Sequence, residues 1–261
     1  MDFALILVVL AVLMGAIWAV DALVLKPRRR AATGGDEGQE PWLVEISRSY
    51  FPIVLLVLVV RSFAYEPFRI PSSSMMPTLR VGDFIFVSKF SYGLRLPVVN
   101  WQIMETGAPR RGDVAVFRLP AEPHTNYIKR VIGVPGDVVT VRNKQVFING
   151  EPLPLELLGE TVELECGGFW FTASVAEETV GDTRHQVYLS DQQDRPSPFL
   201  GREVPEDQYL VMGDNRDCSR DGRIIGYIPE SNLVGRAVRI WMNWDSELGR
   251  PLWHRIGNRI E

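Results

Sequence analysis

Residues 3–25 form a long apolar run, FALILVVLAVLMGAIWAVDALVL, in which Asp21 is the only charged residue. A helix of this length crosses a hydrocarbon layer of about 30 Å. A cleavable signal peptide would carry positive charge before the run, whereas here Asp2 precedes it and KPRRR follows it. The sequence therefore predicts a retained transmembrane helix over residues 1–25, with its positively charged flank in the cytoplasm.

A second apolar run, YFPIVLLVLVV at 50–60, ends at Arg61 before apolar character resumes. It is shorter than the roughly 20 residues of a typical span, and a buried core helix is the alternative interpretation. If Arg61 extends to the interface, residues 50–66 form a second transmembrane helix. The intervening residues 26–49, which include the Gly- and acid-rich AATGGDEGQEP, are then a cytoplasmic loop. Everything after about residue 66 would lie on the outer side of the membrane.

In the remainder of the chain, the residue pattern predicts β-strands. Six segments are short, rich in β-branched or aromatic residues, and bounded by Gly, Pro, Asp or Asn. They are residues 83–90, 112–120, 126–134, 136–150, 207–214 and 233–242. Within the fourth, VRNKQV predicts a hairpin turn.

Residues 151–204 have a different character, because they are acid-rich and alternate less clearly between polar and apolar positions. We interpret them as an insertion between two core strands. The expected fold class is therefore mostly β: a protein anchored by two N-terminal transmembrane helices, with a β-rich core (67–150 and 205–261) and an inserted smaller β subdomain (151–204).

The composition excludes several classes of function. A net charge of −4 with 23% charged residues shows no polyanion-binding pattern, so we expect no nucleic-acid partner. The two cysteines form no CxxC motif and the three histidines lie far apart, so we expect no metal site. Whether Cys166 and Cys218 form a disulfide stays open, because sequence does not give the distance between them.

Three consecutive serines, Ser72 to Ser74, follow the second apolar run in RIPSSSMMPTL. A polar turn is the simplest interpretation of such a stretch. A nucleophilic serine needs a base, which is commonly histidine. His124, His185 and His254 lie in segments without other catalytic signatures, so a lysine is the alternative base.

Lys129 is the best candidate for such a lysine. In the predicted strand NYIKRVIG it shares a face with Tyr127 and Val131. Burial beside these side chains would lower the pKa of the amine, because desolvation disfavours its charged form. From periodicity alone, however, a solvent-exposed strand lysine is the simpler interpretation.

Four motifs together are more specific than any one of them. RIPSSSMMPTL, GDVAVFR, NYIKRVIGVPGD and GDNRDCSRDGRIIGYIP follow the two apolar runs in this order. This arrangement resembles the bacterial type I signal peptidases (leader peptidases), over nearly the whole chain except the insertion and the cytoplasmic loop. The resemblance implies a membrane-bound serine endopeptidase that removes signal peptides from secretory precursors after a small-x-small (Ala-x-Ala) site. It further implies a Ser/Lys dyad, an acyl-enzyme, and no cofactor or metal.

The resemblance also implies a location and partners. It places the protein in the bacterial inner membrane as a multi-pass protein, with its catalytic core on the periplasmic side. The implied partners are the signal peptides of secretory precursors, membrane lipid and a nearby protein-export translocon. Four tryptophans of the outer region are candidates for lipid contact: Trp101, Trp241, Trp244 and Trp253.

By the same resemblance, Ser74 is the nucleophile, Lys129 the general base, and Ser72 the hydroxyl that contributes to an oxyanion hole. Ser73 occupies a position that is usually glycine, so the backbone there either suits serine or is slightly strained. The remaining supporting positions are Ser219, which would orient the lysine, Tyr127 beside it, and the bracing pair of Asp221 and Arg223.

The substrate pockets implied by the family are shallow and apolar, although core packing is the simpler interpretation of each residue. The matching positions are Phe68, Ile70, Met75, Leu79, Ile85, Val116 and Ile128. An extended substrate would add as a strand beside FRIPS and TNYIK.

Three other interpretations remain. An organelle inner-membrane processing peptidase and a self-cleaving repressor-like protease also use a Ser/Lys pair. The two-span anchor argues against the repressor, and the insertion favours the bacterial enzyme. The third is a noncatalytic β domain that binds extended peptides.

Overall fold

The computed structural model describes residues 3–32, 40–99, 101–191, 199, 201–245 and 248–261, without the side chain of residue 124. The chain forms two compact units. The anchor unit comprises Met1–Glu66 and Leu94–Glu105, and the β unit comprises Pro67–Gly93 and Thr106–Glu261.

The anchor unit contains two helices that are long and apolar enough to cross a membrane, Phe3–Ala32 and Trp42–Ala64. The first is built from α1 (Phe3–Val20), a π-helical turn (Asp21–Leu25) and α2 (Lys26–Ala32). The second is built from α3 (Trp42–Val59) and a π-helical turn (Val60–Ala64). The prediction of two N-terminal apolar helices is confirmed.

The helices are longer than the sequence predicted. Both extend into the segment expected to be a loop, residues 26–49, and the centre of that loop, residues 33–39, lies outside the described residues. The charged Lys26–Ala32 segment continues the first helix, because Arg and Ala are good helix formers and no glycine interrupts them before Gly34.

The two helices pack closely where a glycine allows it. A Cβ at Gly15 would lie 2.9 Å from the Phe51 ring, and the Trp18 and Phe51 rings are 5.8 Å apart. The charged residue of the first apolar run is paired, since Arg29 Nη1 donates to Asp21 Oδ1 at 2.6 Å. A charge in an apolar span is costly unless it finds such a partner.

Most of the strands lie in the β unit, but the two strands between Leu94 and Met104 belong to the anchor unit. The strands are numbered in chain order. They are β1 (Tyr65–Arg69), β2 (Asp83–Ser88), β3 (Leu94–Arg95), β4 (Gln102–Met104), β5 (Val114–Leu119), β6 (Glu122–Gly133), β7 (Val138–Arg142), β8 (Gln145–Ile148), β9 (Glu151–Pro152), β10 (Leu155–Cys166), β11 (Phe169–Val180), β12 (Thr183–Ser190), β13 (Arg202–Glu203), β14 (Gln208–Met212), β15 (Ile228–Pro229) and β16 (Leu233–Asn243). Short helical turns lie at Lys89–Tyr92, Glu230–Asn232 and Trp253–Arg255, and a four-residue helix, α4, at Gly222–Ile225.

The described strands form four sheets. The largest has the order β1-β2-β16-β5-β6-β14-β15, and smaller sheets contain β13-β7-β8-β9, β10-β11-β12 and β3-β4. Each of the six segments predicted as strand overlaps a strand, and residues 136–150 contain two, so the mostly β fold class is confirmed. Strand β6 begins earlier than the predicted residue 126, at Glu122, so the backbone of His124 lies in this strand.

The predicted hairpin turn within VRNKQV joins β7 to β8. Arg142 pairs with Gln145, which leaves Asn143 and Lys144 as the turn, with φ angles of 47° and 65°. Two successive positive φ angles are typical of two-residue hairpin turns, whose twist matches that of the strands. Asparagine adopts this conformation more readily than most residues, so the turn prediction is confirmed with its physical cause.

Within residues 151–204, which the sequence predicts to be an insertion, β10, β11 and β12 form an antiparallel sheet that we call the inserted sheet. The outer strands of that range, β9 and β13, pair instead with β8 and β7. The β10–β11 hairpin turns at Gly167 and Gly168, both with positive φ. At its tip, Cys166 forms a disulfide with Cys218, with the Cα atoms 5.8 Å apart. The pairing that the sequence left open is therefore present in the structure.

A buried charge network joins the inserted sheet to the core. Arg130 on β6 donates from Nε and Nη2 to the carboxylate of Asp214, each at 2.8 Å. Arg216 donates from Nη1 to Glu178 on β11 at 2.7 Å. His185 on β12 lies between the two carboxylates, with Nε2 3.5 Å from Glu178 Oε2 and 3.7 Å from Asp214 Oδ1. Removing one member of such a network leaves an uncompensated buried charge.

Burial lowers the pKa of His185 to about 4, even though Asp214 acts to raise it. Between this value and the unfolded pKa near 6.5, the unfolded chain binds more protons, so stability is lost as pH falls through that window. Between about pH 7 and pH 4, protonation of His185 should cost the wild type on the order of 3 kcal/mol of stability. The variant His185→Gln should not show this loss. Urea unfolding of the protein in detergent across this range measures it.

His254→Gln is the matched control, because His254 is exposed. If the wild type and His185→Gln lose stability in parallel on acidification, His185 does not titrate as expected.

Candidate active site

Ser74 and Lys129, which are far apart in sequence, meet in the β unit. Ser74 lies in the loop between β1 and β2, and Lys129 lies on β6. Lys129 Nζ donates a hydrogen bond to Ser74 Oγ at 2.6 Å and another to the Ile128 carbonyl oxygen at 2.8 Å. Ser74 is 8% exposed and Lys129 is 4% exposed. The structure thus places a buried amine directly on a serine hydroxyl.

Burial lowers the pKa of Lys129 to about 8, while the charges of Asp221 and Asp214 oppose this shift. Desolvation disfavours the ammonium form and therefore dominates. A lysine with such a pKa is partly neutral at physiological pH, so it has a free lone pair with which to accept a proton.

The other two serines have different surroundings. Ser72 Oγ lies 3.4 Å from Ser74 Oγ, and Ser72 is exposed. Ser73 does not adopt a positive φ. Serine is therefore compatible with the backbone at this position, which answers the question raised by the glycine usually found there.

A loop after β14 encloses the site, and we call residues 213–221 the bracing loop. Asn215 donates from its backbone N–H to the Ser74 carbonyl oxygen at 3.2 Å and from Nδ2 to the Ser73 carbonyl oxygen at 3.2 Å. A Cβ at Gly213 would lie 2.3 Å from Ser219 Oγ and 2.5 Å from the Ser74 carbonyl oxygen. Glycine is required here because both groups approach its Cα.

Asp221 ends the bracing loop and forms an ion pair with Arg223. The guanidinium donates from Nε and Nη2 to the two carboxylate oxygens, each at 2.8 Å, and Gly213 N–H donates to Oδ2 at 2.9 Å. Burial acts to raise the pKa of Asp221, but these partners outweigh it and the pKa is lowered. Asp221 therefore stays ionised, and its negative charge is held by Arg223.

Two supporting residues differ from the expected contacts. Ser219 is buried, and its hydroxyl makes no hydrogen bond to Lys129; it lies beside Asp221 and helps to lower the pKa of that carboxyl. The Tyr127 hydroxyl donates to Glu122 Oε2 at 2.5 Å, and its ring stacks on Phe117 with centroids 6.0 Å apart. The structure thus brings Ser219 to the bracing loop beside Ser74, and it directs the Tyr127 hydroxyl to Glu122.

The seven apolar residues matched to substrate pockets lie in one cluster of the core. Only Phe68 and Ile128 are partly exposed, and they pack against the buried members. The other five are at most 2% exposed: Ile70, Met75, Leu79, Ile85 and Val116. Core packing therefore describes the five buried residues. The same cluster reaches the surface at Phe68 and Ile128, next to Lys129, where a substrate pocket is also compatible with the structure.

Sequence reasoning missed the residues that support the site from behind. Arg130 is fully buried against Asp214, and Asn215 binds the serine loop through its backbone and side chain. The available signal was an arginine within an apolar strand, since a buried guanidinium needs a carboxylate. Among the described residues, no cluster of three or more His, Cys, Asp or Glu side chains is arranged to hold a metal ion.

The geometry defines a class of protein. A serine hydroxyl in contact with a buried lysine of lowered pKa is suited to nucleophilic catalysis with lysine as the base. Fold and site together describe a β-sheet serine hydrolase that carries two helices able to span a membrane.

Comparison with known proteins identifies the family. A model of the signal peptidase family, peptidase S26, matches residues 43–242. The chain is 41% identical to signal peptidase I of Pseudomonas aeruginosa, with 98% of each chain covered. It is 33% identical to signal peptidase I of Haemophilus influenzae, with 94% of this chain and 87% of the relative covered. The chain belongs to the signal peptidase family, peptidase S26.

One solved structure is also similar, the crystal structure of a signal peptidase I from Enterococcus faecalis. It is 26% identical, covers 49% of this chain and 95% of its own, and has a TM-score of 0.32. The family assignment confirms that the chain is an enzyme, a serine peptidase with signal peptidase I function. Substrates of this family are the signal peptides of secretory precursors.

The lowered pKa of Lys129 predicts a pH dependence. We expect kcat/KM to rise with pH up to about 8, the pKa of Lys129, because only the neutral amine acts as a base. Since Asp221 raises that pKa, Asp221→Asn should move the rising, acidic limb of the pH–kcat/KM profile to lower pH. Initial rates on a precursor peptide between about pH 5 and 10 measure both.

Asp207→Asn is the control, since Asp207 is exposed and its positive φ suits asparagine. An acid limb that stays in place in Asp221→Asn would show that another group controls the rate.

Proposed function

We propose that the protein cleaves secretory precursors after a small-x-small site, such as Ala-x-Ala, with Ser74 as nucleophile and Lys129 as general base. The observation that carries the proposal is the 2.6 Å hydrogen bond between Lys129 Nζ and Ser74 Oγ in a buried site. The lowered pKa of the amine supports it, because a fully charged lysine has no lone pair for a proton.

The reaction proceeds through an acyl-enzyme. Neutral Lys129 accepts the Ser74 proton as the hydroxyl oxygen attacks the carbonyl carbon of the scissile bond. The Ser74 backbone N–H and the Ser72 hydroxyl stabilise the developing oxyanion. The protonated lysine then donates its proton to the leaving amine. A water molecule, activated by the same lysine, hydrolyses the ester and releases Ser74.

The supporting residues maintain the lysine and the serine in position. Ser219 Oγ and the Ser74 carbonyl oxygen both lie close to Gly213, and this shared neighbourhood supports Ser219 as the hydroxyl that orients the amine. Asp221 and Arg223 hold the end of the bracing loop through their ion pair. Tyr127 shields the strand face on which Lys129 lies, and its contact with Glu122 fixes its ring.

The substrate binds in an extended conformation between two strands. Strand β1 lies at the edge of the largest sheet. Strand β6 pairs with β14 only from Arg130 to Gly133, so among the described strands nothing pairs with that side of residues 125–129. These backbone groups are available to a peptide, as in other cases of strand addition. Phe68 and Ile128 line the shallow pockets, with the five buried residues of their cluster beneath them.

The catalytic core acts on the outer, periplasmic side of the bacterial inner membrane. The Cys166–Cys218 disulfide supports this location, since disulfides persist in oxidising compartments and are rare in the cytosol. The charge of Lys26, Arg28, Arg29 and Arg30 favours a cytoplasmic position for the region between the two helices. Signal peptides reach this side at the protein-export translocon, which places the enzyme near it.

Membrane lipid contacts the β3–β4 hairpin. This hairpin belongs to the same compact unit as the two helices. It exposes Val99 (67%), Trp101 (74%) and Ile103 (54%), and apolar side chains with a tryptophan are typical of the membrane interface. Trp241 is less available, because its ring packs on Phe84 and Phe86.

The dyad is tested by cleavage of a precursor with an Ala-x-Ala site in detergent. We expect Ser74→Ala and Lys129→Ala to lower the rate by about 10⁴-fold or more, because each removes an essential part of one unit. Ser72→Ala should cost about a hundredfold, as loss of one oxyanion donor does. Single-turnover rates for each variant provide the measurement.

Ser73→Ala is the matched control within the serine triplet and should cleave at the wild-type rate. If Ser74→Ala retains activity while Ser73→Ala loses it, the nucleophile is Ser73 and the proposed oxyanion hole is wrong.

The lipid contact is tested with the full chain in liposomes that contain brominated lipids. Bromine quenches tryptophan emission at short range. The contribution of Trp101, which is the difference in emission between the wild type and Trp101→Phe, should therefore be strongly quenched. Trp170→Phe is the comparison, since Trp170 is similarly exposed, at 68%, but lies on the inserted sheet. Equal quenching of the two contributions would argue against a specific role for the hairpin.

A further inference from the structure

The disulfide connects two parts of the β unit that are distant in sequence. Cys166 is the last residue of β10, at the tip of the β10–β11 hairpin. Cys218 lies within the bracing loop, immediately before Ser219, and the two cysteines are 52 positions apart. The inserted sheet is therefore bonded covalently to the residue next to a proposed active-site serine.

The bracing loop also holds the nucleophile. Asn215 donates to the Ser74 and Ser73 carbonyl oxygens, and the Cys218 N–H donates to the Asn215 carbonyl oxygen at 3.2 Å. A displacement of Cys218 would thus be transmitted through Asn215 to the backbone of Ser74. Such a connection matters because displacements of about 1 Å can cost a large part of an enzyme's rate.

Ser219 depends on its backbone for its position. Its hydroxyl makes no hydrogen bond to Lys129, so no direct bond to the dyad fixes it. Packing against Gly213, the nearby Asp221 carboxylate and the covalently held neighbour Cys218 place this oxygen. Freeing Cys218 would allow the hydroxyl to move away from the dyad.

We propose that the Cys166–Cys218 disulfide is a positioning element of the active site, which holds the bracing loop so that Ser219 and the Ser74 backbone keep their places beside Lys129. The inference rests on the proposed Ser74–Lys129 dyad. It makes activity dependent on the oxidation state of the two cysteines, so the enzyme reaches its full rate only after the bond has formed.

Reduction breaks this one bond. A thiolate of an added dithiol attacks one cysteine sulfur, which forms a mixed disulfide and displaces the other cysteine as a thiolate. The second thiol of the reagent then displaces the first cysteine. The protein gains two electrons and two protons and retains both cysteines as thiols, while the dithiol becomes a cyclic disulfide. Other contacts still hold the loop. They include the Asp221–Arg223 ion pair and the hydrogen bond that the Tyr188 N–H donates to the Asp214 carbonyl oxygen.

The experiment compares oxidised and dithiothreitol-reduced full-length protein in detergent, with thiol titration to verify reduction. Because the remaining contacts keep the loop folded, we expect kcat to fall about tenfold, with KM changed less than about twofold. The acid limb of the pH–kcat/KM profile should also move, because Ser219 no longer orients the lysine. A disulfide that serves only folding would leave this limb in place.

Cys166→Ser is the matched variant, since it leaves Cys218 unchanged. It should show the kinetics of the reduced wild type and should not respond to dithiothreitol. Should this variant fail to fold, reduction of the already folded wild type, monitored by circular dichroism, still decides the question.

Two results would overturn the proposal. One is a reduced enzyme with the kcat, KM and pH profile of the oxidised form. The other is a loss of activity that occurs only together with a loss of the folded spectrum. Ser74→Ala separates this inference from the proposed function: if Ser74→Ala is inactive while the reduced wild type is fully active, only the role of the disulfide is wrong.

Discussion

The proposed mechanism depends on the burial of Lys129, because the lysine must be neutral to act as a base and desolvation is what lowers its pKa. Burial lowers the pKa to about 8, while Asp221 and Asp214 act in the opposite direction. Each of these carboxylates is paired with its own arginine, Arg223 and Arg130 respectively. An unpaired carboxylate beside the amine would favour the ammonium form. We infer that the two ion pairs compensate the charges that would otherwise keep the lysine protonated.

The same requirement explains why the site is assembled from distant segments. A lysine on β6, a serine in the loop before β2 and a loop after β14 must approach closely, and only backbone contacts without bulky side chains allow it. Gly213 provides the space and Asn215 the hydrogen bonds. The buried charges of Arg130, Asp214, Arg216 and Glu178 then join the inserted sheet to this assembly. The insertion is thus part of the support for the site.

Local patterns could be predicted from sequence, and long-range partners could not. The strands and the Asn143–Lys144 turn follow from alternation and from residue preferences, which act over a few positions. The resemblance supplied Ser74 and Lys129 as a pair, whereas periodicity alone favoured an exposed lysine. Neither source decided whether Cys166 and Cys218 form a disulfide, and neither gave the contact of Arg130 with Asp214, because these depend on how strands pack. The longer helices reflect helix propensity in a charged flank that hydropathy alone assigns to a loop.

The proposed specificity for small residues would follow from the way the proposed pockets are built. Phe68 and Ile128 form the surface, but they pack on five side chains that are at most 2% exposed. A larger substrate residue would have to displace members of this core, and protein cores resist such displacement because they are closely packed. A pocket that ends on such a packed core is shallow, and it needs no additional side chain to limit its depth. The preference for alanine-sized side chains would then be a consequence of the same packing that stabilises the β unit.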